Sequence, residues 1–211
     1  MRDILILYYS HRGSVRALAE QIALGVDSVP GAQPRLRTVP KVSTLCEASE
    51  PAVPTAGAPY VELSDLEACA GLALGSPTRF GNMAAPMKYF WDGTLTAWHN
   101  GALAGKPATV FTASGSLHGG NEATLLTMML PLLHHGMIVM GLPQTWPELS
   151  ASRDGGTPYG ASHVSGPQGN PALSAEAARL AFLQGQRLAQ LSLKLCNEST
   201  HANPSATGCQ R

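Results

Sequence analysis

Four short, almost uninterrupted apolar runs constrain the fold of this chain more than any other feature. They are residues 4–9 (Ile-Leu-Ile-Leu-Tyr-Tyr), 71–76 (Gly-Leu-Ala-Leu-Gly-Ser), 107–113 (Pro-Ala-Thr-Val-Phe-Thr-Ala) and 137–142 (Met-Ile-Val-Met-Gly-Leu). Runs of this length without polar alternation describe strands buried on both faces, as in a parallel sheet covered by helices on each side. The segments between them supply the helices. Over residues 15–26, Val15, Leu18, Ala19, Ile22 and Val26 recur at helical spacing, with Arg16, Glu20 and Gln21 outside the stripe. Further helices are expected over 83–91, where Pro86 is tolerable only near the first turn, over 121–134 and over 174–195. A short one starts at Ser64, with Asp65 and Glu67 in its first turn. Residues 34–39 read as a strand at a sheet edge, where Pro34 is tolerated.

Buried strands alternating with helices imply an α/β fold with right-handed crossovers. The expected architecture is a flavodoxin-like three-layer sandwich with a five-stranded parallel sheet in the order 2-1-3-4-5. At 211 residues the chain suits one domain, expected over 1–195, followed by a polar, aperiodic, disordered tail over 196–211. Two segments lack periodicity. Residues 40–59, rich in Pro, Ala, Ser and Thr, read as a surface loop; residues 143–171, rich in Gly and Pro, read as a functional or interface loop without secondary structure.

Fourteen basic residues balance fourteen acidic ones, so no single-sign field concentrates the chain on nucleic acid or an anionic membrane. No apolar run reaches the length of a membrane span, and the chain passes from Met1-Arg2-Asp3 directly into its first strand without a leader pattern. A cytoplasmic location is expected. Cys46, Cys69, Cys196 and Cys209 are scattered, with no C-x-x-C pair, and read as thiols outside any disulfide or metal site, Cys69 packed inside.

Ligands of open α/β sheets bind beyond the carboxyl ends of the strands where the strand order reverses, and three loops meet there. Ser10-His11-Arg12-Gly13-Ser14 leads into Val15 and offers hydroxyls and backbone N–H groups at a helix N-terminus, a place for a phosphate. Its single glycine matches neither the dinucleotide fingerprint nor a P-loop and suits a monophosphate such as that of FMN. The same turn also reads as an ordinary one in which Ser10 caps the helix. The second loop, residues 76–83, carries Thr78, Arg79 and Phe80. Arg79 is either a charge for a reduced, anionic ring or a solvated surface residue. The third, residues 114–120, lets backbone approach a ligand at Gly115, Gly119 and Gly120. Trp98 is expected in a loop after the third helix, covering an aromatic ligand or filling the core. His134 and His135 end a helix, where capping is the simplest role, and adjacent helical residues do not converge on a metal. No nucleophile elbow, Ser-His-Asp order or carboxylate pair accompanies these loops, which argues against acyl transfer and glycoside hydrolysis. A flavin brings its own reactive atom, which suits a site without obvious catalytic side chains.

Leu-Tyr-Tyr-Ser at 7–10, Gly-Ser-Pro-Thr-Arg-Phe-Gly-Asn-Met at 75–83, Gly-Gly-Thr-Pro-Tyr-Gly-Ala at 155–161 and His-His-Gly-Met at 134–137 resemble the WrbA-type NAD(P)H:quinone oxidoreductases, over about residues 4–195. The resemblance implies FMN-dependent two-electron reduction of quinones to hydroquinones by NADH or NADPH, in ping-pong order. It implies FMN contacts at Ser10, His11, Arg12, Gly13, Ser14 and Val15, at Thr78, Arg79 and Phe80, at Ala113, Ser114, Gly115, Ser116, Leu117, His118 and Gly119, and at His134. Arg79 and His134 would tune the flavin, Arg12 would touch the nucleotide, and Trp98 would flank the quinone or nicotinamide. It also implies a homotetramer, with the 143–171 loop in assembly or walling the pocket. Two departures touch the site: Arg12 replaces a usual Tyr, and the 114–120 loop is one residue longer, with Leu117 and His118 in place of small residues. The alternatives are an electron-carrier or regulatory FMN-binding protein without nicotinamide-dependent turnover, an FMN-dependent azo- or nitroreductase, and a partner-binding module without flavin. Neutral charge argues against the carrier, since flavodoxin carriers are strongly acidic.

Overall fold

The first apolar run forms β1 (Arg2–Tyr8), whose Ile4, Ile6 and Tyr8 pack into one helical layer and Leu5 and Leu7 into the other. A computed structural model, which describes residues 1–42 and 53–202, sets β1 between β2 (Ala32–Thr38) and β3 (Gly71–Pro77), with β4 (Pro107–Ser114) beyond β3. All strand pairings are parallel and, with β5 (Ile138–Val139) beside β4, the order is β2-β1-β3-β4-β5, as expected. β3 and β4 are buried along their whole length, whereas β2 is a half-buried edge that accommodates Pro34.

On one face of the sheet lie α1 (Ser14–Asp27) and α7 (Ala175–Ala202); α2 (Leu63–Ala68), α3 (Ala85–Asp92) and α5 (Asn121–His134) cover the other. α1 and α7 cross with their backbones in contact. A Cβ on Gly25 would lie 1.8 Å from the Phe182 carbonyl oxygen, and one on Gly185 would lie 2.0 Å from that of Ile22. Only glycine permits that separation.

The outer position beside β4 is filled by two pieces, so the sheet has six strands where five were expected. β5 is limited to Ile138–Val139 and pairs with the start of β4, while β6 (Ser162–Val164) pairs with its end. Between them the chain leaves the sheet because Gly141 brings its backbone against the 157–160 turn: the Leu142 N–H donates to Pro158 O at 2.8 Å. The strand expected over 137–142 is therefore cut short. Residues 143–171, expected to lack secondary structure, contain α6 (Pro147–Ala151) and β6, both too short for periodicity to register.

Gln184 of α7, fully buried, closes the gap. Its Oε1 accepts from the Ala161 N–H at 2.7 Å, and its Nε2 donates to Val110 O and Thr109 Oγ1, both at 2.8 Å. An amide with one acceptor and two donors meets the carbonyl and the N–H that the interrupted ladder would otherwise leave unpaired, and also the Thr109 hydroxyl, which itself donates to Met140 O at 3.1 Å.

Two further expectations are corrected. Trp98 lies on a helix, α4 (Leu95–His99), which is too brief for a sequence pattern to reveal. α7 runs to Ala202, past the expected end at Leu195, because the first helix breaker beyond it is Pro204. Most of the expected 40–59 loop, Cys46, and the tail beyond Ala202 with Cys209 lie outside the described residues; Cys69 and Cys196 are both buried.

Replacing Gln184 with Leu strands a buried carbonyl and a buried N–H, each loss costing about 1–3 kcal/mol. Urea unfolding of Gln184→Leu is expected to show a destabilisation on the order of 3 kcal/mol with an unchanged m-value; a midpoint equal to that of the native chain would show that the amide does not hold the split edge.

Candidate functional site: a cationic cleft at the carboxyl ends of the strands

The turn that leaves β1 enters α1 through Gly13, whose φ of +96° places it in the left-handed region. Ser10 does cap this helix: its Oγ accepts from the Gly13 N–H at 3.1 Å and from the Arg16 N–H at 3.3 Å. The N–H groups of Ser14 and Val15 stand in the first turn, where helical geometry supplies no acceptor. Both residues line a cleft of about 390 Å³ together with Ser10, His11, Arg12, Thr78, Arg79, Ala113, Ser114 and Gly115. The volume is that of a small-molecule site. His11, Arg12 and Arg79 face it and no lining residue is acidic, so the cleft favours an anion. No metal-binding group of three His, Cys, Asp or Glu side chains occurs among the described residues.

The second loop is a two-residue hairpin. Arg79 and Asn82 exchange backbone hydrogen bonds at 2.8 and 3.0 Å, with Phe80 at φ +54° and Gly81 at φ +77° between them. Positive φ at both central positions is the turn that matches strand twist, but it is costly for Phe, on the order of 1 kcal/mol. Two threonines of α5 hold it in place: Thr124 Oγ1 donates to Thr78 Oγ1 at 2.6 Å, and Thr127 Oγ1 donates to Gly81 O at 3.0 Å. Phe80 gains no burial in return, since its ring is fully exposed. Arg79 donates to Thr78 O at 2.8 Å and has no carboxylate partner among the described residues.

Ala113, Ser114 and Gly115 line the cleft, whereas Ser116, Leu117, His118 and Gly119 form a turn beside it, closed by the Gly119 N–H donating to Ser116 O at 3.0 Å. Leu117 and His118 point to solvent. A fourth wall, whose residues no motif marks, comes from Ser165, Gly166, Pro167 and Gly169, with Pro77 completing the lining. The Ser165 N–H and Oγ donate to Ser114 O at 2.8 and 3.0 Å, and Ser14 Oγ donates to Asn170 O at 3.4 Å. The resemblance assigns the Gly/Pro-rich 143–171 loop to assembly or to walling the pocket without naming residues, and Ser165, Gly166, Pro167 and Gly169 supply the wall.

His134 and Trp98 are not brought to the cleft of their own chain. α5 begins at Gly120, packed against Thr78 and Gly81, and at 1.5 Å per residue its last residue, His134, is about 20 Å away. There Trp98 Nε1 donates to His134 O at 2.7 Å. Both side chains line a separate, largely apolar groove of about 450 Å³ with Trp91, Leu95 and Pro131.

Residues 4–147 match the family described as NADPH-dependent FMN reductase. The chain belongs to that family. Of its curated relatives, the NAD(P)H dehydrogenase (quinone) of Geobacter sulfurreducens is 40% identical over 200 residues, covering 92% of this chain and 98% of the other. The protein of the same name from Syntrophobacter fumaroxidans is 40% identical, covering 91% and 98%. Among solved structures, a flavodoxin-type WrbA-like protein from Agrobacterium tumefaciens superimposes with a TM-score of 0.63 at 21% identity, covering 92% and 99%. A flavodoxin from the domain Archaea gives 0.61 at 19% identity, covering 90% and 99%. The two structures support the flavodoxin-like fold of this FMN reductase family member.

Beneath the apolar groove, this family member buries a second histidine. His135 is 8% exposed; its Nε2–H donates to Thr94 Oγ1 at 3.0 Å, since that hydroxyl already donates to Trp91 O. Its Nδ1 and the neighbouring Trp91 Nε1 are buried without partners. Burial, and secondarily the adjacent His134, hold the His135 pKa below its ordinary value of 6.5. The unfolded chain then takes up the proton before the folded one does, so stability is full above the ordinary pKa and falls as pH drops below it. The urea midpoint is expected to decline between about pH 7.5 and pH 5.5, and His135→Gln, which keeps a donor for Thr94, is expected to flatten that decline. Equal slopes in the two proteins would contradict it.

Proposed function

We propose that the chain is an FMN-dependent NAD(P)H:quinone oxidoreductase. The observation that carries this reading is the convergence of the loops after β1, β3 and β4 on one cleft that is cationic and, among the described residues, free of carboxylates. The donor set fits FMN: first-turn N–H groups beside hydroxyls at one end suit a phosphate, and backbone with Arg79 at the other suits a flat heterocycle. When bound, FMN supplies the redox chemistry, taking two electrons from NADH or NADPH and passing them to a quinone.

The chain's own residues bind and orient. Ser10, His11, Arg12, Gly13, Ser14 and Val15 hold the phosphate, with the α1 N-terminus favouring its charge. Thr78, Arg79 and Phe80 take one edge of the ring and Ala113, Ser114 and Gly115 the other, with Ser116, Leu117, His118 and Gly119 bounding the entrance. Arg79, without a carboxylate partner among the described residues, supports negative charge that grows on the ring. Ser165 to Gly169 exclude water from the side that the three loops leave open. Nucleotide and quinone occupy the same open face in turn.

The roles expected for His134 and Trp98 require a neighbouring copy, since about 20 Å separate His134 from the cleft of its own chain. The face formed by α3, α4 and α5 supports such an assembly, with Tyr89, Leu95, Trp98, Leu126, Leu130 and Leu133 all exposed. In this reading the enzyme is a homotetramer in which Trp98 flanks the quinone of a neighbour's site and His134 reaches its flavin. No helix among the described residues is long and apolar enough to cross a membrane, and we place the enzyme in the cytoplasm, where its reductant is made.

Arg79→Ala is expected to lower quinone-reductase kcat on the order of 100-fold while the bound FMN content and unfolding midpoint stay unchanged. Undiminished turnover by the FMN-loaded variant would remove Arg79 from the mechanism. Light scattering of the purified chain tests the assembly: a mass of four chains is expected, and a monomer contradicts it.

A further inference from the structure

A second cleft, of about 330 Å³, lies on the other side of the 10–13 turn and shares Ser10, His11 and Arg12 with the first. Its remaining wall comes from Tyr8, Arg16, Thr38 and the backbone of residues 56–58. We infer that this cleft binds the 2′-phosphate of NADPH, and so makes the protein prefer NADPH to NADH. The inference rests on the oxidoreductase reading above and assigns a substrate class to it.

The lining carries the argument. Two guanidinium groups, Arg12 and Arg16, an imidazole, His11, and two hydroxyls, those of Tyr8 and Thr38, surround a space that no carboxylate lines among the described residues. Arginine pairs and hydroxyls suit a phosphomonoester dianion, which accepts several charge-assisted hydrogen bonds at once. Arg12 also faces the first cleft, where the reading above gives it the FMN phosphate, so Arg16 is the cation left for a second phosphate. Arg16 meets Glu20 at 3.5 Å in a pair whose side chains are 50% and 58% exposed, a geometry that contributes little and exchanges readily. The Arg12 side chain lies across Gly169, where an added Cβ would come within 2.6 Å of its Cδ, and so spans the ridge between the two clefts. Burial pushes the Tyr8 phenol above its ordinary pKa, with the Ala58 backbone and Arg16 pulling the other way, so the hydroxyl stays a donor at neutral pH.

The contiguity of the clefts matters because a dinucleotide has one reacting end and one distant end. A nicotinamide in the first cleft leaves the adenylate to cross the Ser10–Arg12 ridge into the second. Contacts that far from the reacting atoms are equal in ground and transition states, so they act on KM and not on kcat. NADH, which carries a hydroxyl in place of the phosphate, leaves Arg16 in its exposed pair with Glu20 at no great cost. It remains a substrate, with weaker binding.

Adenosine 2′,5′-bisphosphate and 5′-AMP report the cleft without turnover. Calorimetric titration of the FMN-loaded protein is expected to show the bisphosphate binding about tenfold to a hundredfold tighter than 5′-AMP, with Arg16→Gln abolishing most of the difference and Arg16→Lys restoring part of it. In steady state, Arg16→Gln is expected to raise KM for NADPH by a similar factor, leaving kcat and KM for NADH within about twofold. Equal affinity for the two adenylates, or an Arg16→Gln effect that falls equally on NADH and NADPH, would overturn the proposal while leaving the quinone-reductase reading intact. A protein that distinguishes the adenylates as expected yet reduces no quinone with either nucleotide would support the cleft and sink the reading of the function.

Discussion

The buried amide of Gln184 holds the outer edge of the sheet together, and the candidate site depends on that edge. The strand beside β4 stops at Val139 and restarts at Ser162, so a carbonyl, a hydroxyl and an N–H face a gap inside the protein. Gln184 meets all three at 2.7–2.8 Å. Unpaired groups at that depth would cost more than the short β6 contributes by its own pairing. With the gap closed, β6 continues into Ser165, whose N–H and Oγ both bond Ser114 O, and into Asn170, whose carbonyl accepts from Ser14 Oγ and His163 Nε2. The fourth wall of the cleft is thus tied to β4 on one side and to the first turn of α1 on the other. A side chain on α7, remote from the ligand, fixes where that wall stands.

The rest of the cleft follows from the sheet. Because β1, β3 and β4 are parallel and buried on both faces, their turns leave at the same end, and the reversal of order between β1 and β3 opens a crevice between those turns. What distinguishes this crevice chemically is cations without carboxylates in a chain of zero net charge. The Phe80–Gly81 hairpin adds a local cost that the monomer does not recover, since a non-glycine residue adopts positive φ while exposing its whole ring. Strain of this kind persists where surrounding structure overdetermines it, here the hydroxyls of Thr124 and Thr127. A ring held out in this way is available to a flavin, a substrate or a neighbouring chain.

Most of this was legible in the sequence where burial is two-sided. Ile4–Tyr8 and the runs through Leu72 and Val110 carry no polar alternation because both faces are covered, and their order with the intervening helices leaves few topologies. The interruption at Gly141 was illegible because Met140 and Leu142 are as apolar as Val139; the departure is set by a backbone contact with Pro158, which leaves no hydrophobic signature. Ser165 to Gly169 were missed as site residues for a related reason, since a wall made of backbone and small residues has no period. Trp98 was misplaced because one helical turn cannot be read from spacing. The resemblance grouped His134 with the cleft residues, and only the length of α5 reveals that one chain cannot bring them together.

We propose that this cleft holds FMN and that its residues let a reduced nicotinamide nucleotide and a quinone exchange electrons through it. The most direct measurement is an anaerobic absorbance titration of the FMN-loaded protein, first with NADPH or NADH and then with benzoquinone. The flavin absorbance near 450 nm is expected to bleach with one equivalent of nucleotide per bound FMN and to return with one equivalent of quinone. Bound FMN that neither nucleotide reduces would make the chain an electron carrier, and failure to bind FMN at all would show that the cleft is no flavin site.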